Sequence, residues 1–352
     1  MRRGKNEKKK LRSVLSDICL AMLALALCWL LLDGRNTPLN EEKQVSYSLT
    51  ERKAQAAEVY HACADKLRDA LPGIVCWGDE AAVGNGEGSL AGKLYRWANE
   101  ALLTDLEDAF AFQTNFYNIL DLKIRVKNMG VGNEGMSELL VRCGAKSLLL
   151  AEDYSIPVYG YMSNVRLMDE DGHELHFAEQ KFAKFDRTVI GGVQGYLYIG
   201  TGSYDKTHPM LAYAREFQGQ SITLPKGSKV ETESAAAYRQ YLPILFFQTT
   251  LGQTEETFIQ ALTSILNFHQ NPGGYYVVIV CTEEHTTLDD ALTDAFGPRY
   301  IRAEKSASEM RKTDYSRLAE KVYACIDSQG GFDAVREAVQ AAMVRLGEIN
   351  SL

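Results

Sequence analysis

The chain has 352 residues, of which 46% are hydrophobic and 24% are charged, and these proportions are ordinary for a folded globular protein. A chain of this length can form one large domain, or one domain with an insertion. The formal net charge is −8, and an acidic protein is a poor ligand for nucleic acids because phosphate contacts need clustered lysines and arginines. Composition therefore argues against disorder and against nucleic-acid binding.

The first 32 residues differ from the rest of the chain. Residues 1–17 carry seven Lys and Arg side chains against two acidic ones, and an uncharged apolar stretch follows from Ile18 to Leu32. This stretch is short for a bilayer, which takes about 20 residues, but Val14 and Leu15 extend it by a turn. The basic flank predicts a cytoplasmic N-terminus. We expect a basic tail at 1–13, a single transmembrane signal anchor at 14–32, and the remainder outside the cytoplasmic membrane.

A cleaved signal peptide and a buried core helix are the two alternatives to this anchor. The stretch from Leu30 to Arg35 offers no small residues at the spacing that a signal peptidase needs. Cys28 follows Leu27, whereas a lipoprotein signal has Gly or Ala at that position. We therefore favour an uncleaved helix with the membrane as its partner.

Five cysteines lie beyond the predicted anchor: Cys63, Cys76, Cys143, Cys281 and Cys325. Their number is odd and no two form a CxxC pair, so the spacing indicates neither a disulfide framework nor a metal site. Cys76 and Cys281 lie within apolar runs, where small buried thiols are the simplest interpretation.

After the anchor, the sequence alternates between patterns typical of strands and of helices. Residues 33–48 are polar and predict a linker, and a helix is expected from about Leu49 to Ala70. A buried strand from Ile74, a tight turn at Gly78-Asp79 and a helix from Leu90 to Leu103 follow. Later strands are expected at 122–127, 241–248, 275–281 and 299–302, and helices at 136–143, 255–269, 288–296 and 332–346. This alternation predicts an α/β fold with a parallel sheet covered on both faces.

The segment between the second and third strands has another pattern. From Tyr154 to Ser234, short alternating runs are separated by turn signals such as Asp169-Glu170-Asp171-Gly172. This pattern predicts an antiparallel β insertion at about 152–236. Its aromatic residues suit a carbohydrate platform, although strand cores are often aromatic as well. They include Tyr159, Tyr161, Phe182, Phe185, Tyr196 and Tyr198.

Four short segments, taken in order, resemble the sequence blocks of the GDSL/SGNH hydrolase (esterase) superfamily. They are IVCWGD at 74–79, NMGVG at 128–132, LPILFFQTTLGQT at 242–254 and GGFDAVREAVQAAMVRLG at 330–347. The resemblance implies a flavodoxin-like doubly wound parallel sheet over residues 49–352. It also implies a site for acyl-ester chemistry at the carboxyl ends of the strands.

The chemistry of that superfamily needs a nucleophilic hydroxyl, an imidazole base, an orienting aspartate and donors for the oxyanion. Glu80 stands where the family has its serine, and the asparagine of the third block falls on Gln253 or Thr254. The fourth block, at Asp327-Ser328-Gln329-Gly330, has glycine in place of the histidine. That loss does not depend on the alignment, because His285 is the last histidine of the chain.

The second block, around Gly130, is intact, and the family uses its glycine amide in the oxyanion hole. A rebuilt site is one alternative, because Glu80 and His285 both follow strands and such a pair can transfer a proton. The segment from Cys281 to Thr286 is equally typical of a polar loop that caps a helix. His173 and His176 flank Glu174 but lack a third ligand at a recognised spacing, so no metal and no cofactor are expected.

The sequence therefore predicts a membrane-anchored extracytoplasmic protein with an SGNH-hydrolase-like fold and no hydrolase activity, retained to bind a cell-surface glycan or an acylated ligand. An active esterase that uses Glu80 and His285, and a structural ectodomain that docks a protein partner, remain alternatives. An open polar crevice would favour ligand binding, whereas a crevice filled by Trp77, Glu80 or side chains of the insertion would favour docking. The crevice is expected to contain Asp79, Glu80, Asn128, Gly130, Gly132, Gln253, Thr254 and His285.

Overall fold

A computed structural model describes residues 39–79, 82, 86–114, 122–132, 134–175, 187–199, 211–306, 308–310 and 312–351. The predicted anchor at 14–32 and the predicted site residue Glu80 lie outside these ranges, as do Phe182 and Phe185. In the part of the chain that is described, no helix combines the length and the apolar character that crossing a membrane requires.

The chain divides into two compact units. One unit comprises residues 60–345 and contains both of the large sheets. The other comprises the two ends of the chain, Met1–Val59 and Leu346–Leu352, and its described residues are helical.

A five-stranded parallel sheet forms the first layer of the larger unit. The strands lie in the order β15-β14-β13-β1-β2, which is 2-1-3-4-5 when they are numbered along the chain within this sheet. The order reverses between β1 and β13, and a crevice opens outside the carboxyl ends of the strands at such a point. The five strands are β1 (Ile74–Gly78), β2 (Val126–Asn128), β13 (Leu242–Phe247), β14 (Val277–Cys281) and β15 (Tyr300–Ala303).

Helices connect these strands and cover the sheet. On one face, side chains such as Trp77, Leu245 and Val278 pack against the three helices α3, α5 and α6. Ile74 and Cys76, which alternate with Trp77 along β1, are buried on the other face. The helices are α1 (Leu39–Ala70), α2 (Leu90–Thr114), α3 (Met136–Cys143), α4 (Glu233–Tyr238), α5 (Glu255–Phe268), α6 (Thr287–Phe296), α7 (Lys312–Ser328) and α8 (Asp333–Ser351), with a short 3-10 turn at Gly297–Arg299.

The insertion forms a separate antiparallel sheet with its own apolar core. Its eight strands lie in the order β5-β10-β9-β8-β12-β3-β6-β7, and β4 pairs with β11 beside them. The sheet begins at Leu148, slightly before the predicted start of the insertion. The strands are β3 (Leu148–Leu150), β4 (Tyr154–Ile156), β5 (Tyr161–Ser163), β6 (Leu167–Met168), β7 (Glu174–Leu175), β8 (Thr188–Ile190), β9 (Val193–Ile199), β10 (Leu211–Arg215), β11 (Ile222–Leu224) and β12 (Lys229–Thr232).

The mixed α/β fold, with one parallel and one antiparallel sheet, is confirmed, but several elements differ from their predictions: α2 extends to Thr114, and the short helix α4 was not predicted. Helix α1 begins at Leu39, within the predicted linker, because polar residues such as Glu41 and Lys43 are good helix formers. Strand β2 begins at Val126, four residues after its predicted start. The reason is that the Asn99 side chain accepts the N–H of Ile124 and donates to its carbonyl, so these groups do not pair with β1. Helix α7 was not predicted, although its buried Leu318, Val322 and Ile326 recur at helical spacing.

The prediction of free thiols is confirmed for the five cysteines beyond residue 39, which are all unpaired. Burial raises the pKa of Cys76 to about 12. Burial, and then the Asp79 carboxylate, raise the pKa of Cys281 to about 12. Both thiols are protonated at neutral pH, so Cys281, although it ends β14 at the crevice, is a weak nucleophile.

Candidate functional site

The carboxyl end of β1 is held in place by the Gly78-Asp79 turn. Gly78 has φ +149°, and a Cβ atom there would lie 1.8 Å from the carbonyl oxygen of Phe246, so only glycine fits. The Asp79 carboxylate accepts the backbone N–H groups of Gln248 at 2.8 Å and of Thr249 at 3.1 Å. Asp79 is only 3% exposed. Its carboxylate therefore ties the end of β1 to the loop after β13, which is a structural role.

The loop from Asn128 to Gly132 lies directly beside this turn. The N–H of Val131 donates to the carbonyl of Gly78 at 3.0 Å. The N–H of Gly130 donates to Oδ1 of Asn128 at 2.9 Å, so this amide is engaged within its own loop. An oxyanion hole needs donors aimed at the reacting oxygen, and this amide would have to leave Asn128 to serve as one.

Gly130 also has a packing role. A Cβ atom on Gly130 would lie 2.6 Å from the Cβ atom of Ala82, in the loop that follows β1. Close approach of two backbone segments therefore requires glycine here, whether or not the amide binds a ligand. Packing thus explains the glycine at position 130, and the resemblance of this loop to the second block of the esterases stays a prediction.

The third-block residues Gln253 and Thr254 begin helix α5. Leu251 and Gly252 have positive φ values, 55° and 76°, and form a tight turn that leaves Gln253 exposed. Thr254 is the N-cap of α5, and its side chain accepts the N–H of Thr257. The turn and the helix cap explain why these residue types stand here, and no bound ligand is needed for that explanation.

His285 lies in the loop between β14 and α6. Its backbone N–H donates to Oδ2 of Asp289 at 3.3 Å, and the next residue, Thr286, is the N-cap of α6. This confirms the interpretation of the loop as a helix cap. The imidazole is 85% exposed. Because Glu80 lies outside the described residues, the proton-transfer pair of Glu80 and His285 stays a prediction.

Asp327 lies at the opposite edge of the sheet, so its assignment to the fourth block was wrong. The side chain of Gln329 donates to the carbonyl of Tyr276 at 3.0 Å, and Tyr276 precedes the amino end of β14. Asp327 forms an ion pair with Arg336 at 2.6 Å. The reason is helix α7, which leaves the carboxyl edge after β15 and returns the chain to the amino edge. The described residues that do follow β15 at the carboxyl edge, 304–306 and 308–310, include no histidine.

Sequence reasoning missed a buried polar cluster behind the second-block loop. The Arg142 guanidinium forms a bidentate ion pair with Glu134, with N···O distances of 2.8 and 2.5 Å, and lies 5.0 Å above the centre of the Trp77 ring. The Trp77 Nε1–H donates to Nε2 of His269 at 3.0 Å. Burial lowers the pKa of His269 to about 4, so the imidazole is neutral at pH 7.

This cluster places Trp77 in the core and away from the crevice. Trp77 is fully buried between β1 and helices α3 and α5, and no sequence pattern predicts its bond to His269, 192 residues later. The one sequence signal for this cluster is a charged residue inside an apolar run. Arg142 is such a residue, and it is completely buried in α3.

An open groove of about 720 Å³ runs between α2 and strand β2. It reaches from the Gly86–Ser89 turn to Asn128 at the carboxyl end of β2. Polar and charged side chains line it, but its accessible surface is more apolar than polar. The lining side chains include Glu87, Ser89, Tyr95, Arg96, Asn99, Glu100, Thr104, Lys123, Val126 and Asn128.

One group of side chains in the insertion has the geometry of a metal site. The ligating atoms of Asp169, Asp171 and His173 lie within 4.8 Å of one another in the β6–β7 turn. Two of the three are already engaged: Asp171 pairs with Lys146 at 2.5 Å, and Asp169 accepts the N–H of His173 at 2.8 Å. We assign no metal to this turn.

Of the predicted crevice residues, Asp79, Asn128, Gly130 and Gly132 lie together at the carboxyl ends of β1 and β2. Gln253 and Thr254 follow β13, and His285 follows β14, so these residues come after the carboxyl ends of neighbouring strands. Comparison of the chain with protein-family models gives no match, and neither does comparison with curated proteins.

Proposed function

We propose that this protein is a membrane-anchored, extracytoplasmic member of the SGNH-hydrolase-like fold that has no hydrolase activity and binds a cell-surface glycan or an acylated ligand. The strand order 2-1-3-4-5 supports the fold assignment, because it is the order of flavodoxin-like doubly wound sheets. The order of the first three sequence blocks along the chain supports it further.

The open groove is the observation that carries ligand binding. It begins at Asn128, at the carboxyl end of the edge strand β2 next to β1, and it combines polar and charged side chains with apolar surface. Trp77, which would have filled a docking cleft, is buried in the core instead. An open groove that offers both hydrogen-bonding groups and apolar surface favours a ligand with many hydroxyl groups over a purely apolar protein segment.

The absence of hydrolysis is supported by what the catalytic positions do instead. The Gly130 amide is bonded to Asn128, and Thr254 caps a helix. No histidine follows His285 in the sequence, so the carboxyl edge after β15 offers no base. Three of the family's four blocks therefore lack their catalytic residue: Glu80 stands in place of the serine, Gln253 or Thr254 in place of the asparagine, and the histidine is missing.

The catalytic proposal is tested with a fluorophosphonate probe and p-nitrophenyl acetate on the detergent-solubilised full chain. We expect no labelling and only background hydrolysis, and the same from Glu80→Ser, because a nucleophile without its base retains little of the rate. Stoichiometric labelling of a serine that substrate blocks would overturn the proposal. Hydrolysis that His285→Ala abolishes would instead establish the rebuilt site.

Ligand binding in the groove is tested by titrating acetylated and deacetylated xylan. We expect Tyr95→Ala, which removes a groove ring that is 40% exposed, to weaken binding. A variant that binds as tightly as the wild type would exclude the groove as the site.

The topology is tested by protease treatment of intact protoplasts. We expect digestion of the folded part and a small membrane-bound fragment that contains residues 14–32. A secreted form that begins near Gly34 would show that the segment is a cleaved signal.

A further inference from the structure

The outer face of the antiparallel sheet carries a row of tyrosines. Tyr161 in β5 is paired with Ala214 in β10, and Ala214 is paired in turn with Tyr196 in β9. Residues directly opposite one another project from the same face of a sheet, so two rings flank the small Ala214 side chain. Tyr198, two residues after Tyr196, projects from this face as well and is paired with Ala212. We call these five residues the tyrosine face.

Two of the three tyrosines are exposed although the sheet has a complete apolar core, whereas Tyr198 is half-buried and Ala212 is buried. The alternating residues Met162, Leu197 and Tyr213 project from the opposite face and are buried in that core. Tyr161 is 62% exposed and Tyr196 is 37% exposed. The solvated face of an antiparallel sheet is normally polar, so large rings there need an explanation outside folding.

One ring is held in a fixed orientation. The Tyr196 hydroxyl accepts a hydrogen bond from Nε of Arg187 at 3.1 Å and donates to Oε1 of Glu216 at 3.3 Å. Arg187 and Glu216 are themselves an ion pair at 3.0 Å. A ring fixed before binding loses little entropy when a ligand stacks on it. The charged pair also places hydrogen-bonding groups beside the ring.

The tyrosine face by itself is smaller than a stable protein interface. Two strand spacings separate Tyr161 from Tyr196, which is about 10 Å, and two residues along β9 span about 7 Å. The face therefore covers on the order of 100 Å², whereas a standard protein interface buries about 800 Å² on each partner. A single linear chain is an occupant of the right width.

The chemistry of the face selects among linear chains. Sugar rings with equatorial hydroxyls present flat C–H-rich faces that stack on aromatic rings, and their hydroxyls reach groups such as Arg187 and Glu216. The net charge of −8 disfavours a polyanion. We propose that the tyrosine face binds one chain of a neutral β-1,4-linked glycan, stacked on Tyr161 and Tyr196. This site lies on the insertion and goes beyond the proposed function, which concerns the groove.

The proposal is tested by isothermal titration of the full chain with cellohexaose and chitohexaose. We expect binding of at least one of them, weakened roughly ten-fold or more by Tyr161→Ala, since stacking on one ring contributes about 1–3 kcal/mol in comparable cases. Ala214→Lys, which fills the space between the two rings without removing either, should weaken binding as well. Val344→Ala is the matched control, because it removes exposed apolar surface from α8, outside both the groove and the tyrosine face, and it should bind as the wild type does.

The outcomes separate this proposal from the groove proposal. Loss of hexaose binding in Tyr95→Ala but not in Tyr161→Ala would overturn the tyrosine face and favour the groove. Binding of neither hexaose, or unchanged binding in both Tyr161→Ala and Ala214→Lys, would also overturn it. Self-association that Ala214→Lys abolishes, measured by sedimentation, would show that a second copy covers the face instead.

Discussion

The sequence suggests functional residues in two regions, the carboxyl edge of the parallel sheet and the outer face of the antiparallel sheet. The side chains of the two regions differ in whether the rest of the protein engages them. At the carboxyl edge, Asp79, the Gly130 amide and Thr254 bond to neighbouring parts of the protein. On the outer face, Tyr161 has its ring in solvent. All hydrogen bonds of a polar residue at a strand end can go to other parts of the protein. A large apolar ring in solvent, in contrast, contributes little to the stability of the fold. The comparison predicts large stability losses at the first region and small ones at the second.

The largest loss is expected from breaking the buried ion pair that fixes the second-block loop. Glu134→Ala leaves the Arg142 guanidinium without its partner in a fully buried position, which costs about 3–5 kcal/mol of unfolding free energy. Urea unfolding monitored by circular dichroism measures this. Glu100→Ala is the matched control, since its pair with Arg96 is exposed and contributes less than about 1 kcal/mol. Equal effects from the two variants would contradict the structural role of Glu134.

The next largest loss is expected at the end of β1. Asp79→Ala leaves the N–H groups of Gln248 and Thr249 without this acceptor, at a cost of about 3 kcal/mol because bonds to a charged acceptor are the strong ones. Asp294→Ala removes an exposed carboxylate from α6 and should change stability by less than about 0.5 kcal/mol. If Asp79→Ala unfolds at the same urea concentration as the wild type, Asp79 is free for another role.

A smaller, pH-dependent loss is expected from His269. Burial lowers the pKa of His269 from 6.5 to about 4 in the folded state, so between these pH values the unfolded chain binds a proton that the folded chain does not. Stability therefore falls as the pH drops through this window, by about 2 kcal/mol between pH 7 and pH 5.

The measurement for His269 is the difference in unfolding free energy between the wild type and His269→Gln across this pH range. The Gln carbonyl can still accept the Trp77 N–H but cannot be protonated. The carboxylates are common to both proteins, so their contribution to the pH dependence cancels in the difference. A difference that stays constant with pH would show that His269 does not have the lowered pKa.

The smallest effect is expected at the tyrosine face. Tyr161→Ala should change the unfolding free energy by less than about 0.5 kcal/mol, because its ring is mostly in solvent. Thermal unfolding measures this in the same preparation used for the glycan titration. A loss of several kcal/mol would show that the ring supports the sheet, and the contrast between the two regions would disappear.

Much of the fold was readable from local sequence. The apolar runs at 241–248 and 275–281 predict buried strands, and β13 and β14 lie within those bounds, because a strand that is buried on both faces is mainly apolar. Helix α3 was predicted at its observed bounds, and β1 begins at Ile74 as expected. These predictions succeed because helix and strand periodicity depends on neighbours within a few residues.

The tertiary structure alone decided what the candidate site residues do. The sequence by itself determined that Glu80 follows Gly78-Asp79 and that no histidine follows His285, since both are statements about residue order. It did not determine that Asn128 engages the Gly130 amide, that Asp327 lies at the amino edge, or that Trp77 bonds to His269. Those outcomes depend on which distant segments the packed core brings together, and burial makes each polar group bond to whatever donor or acceptor is placed beside it.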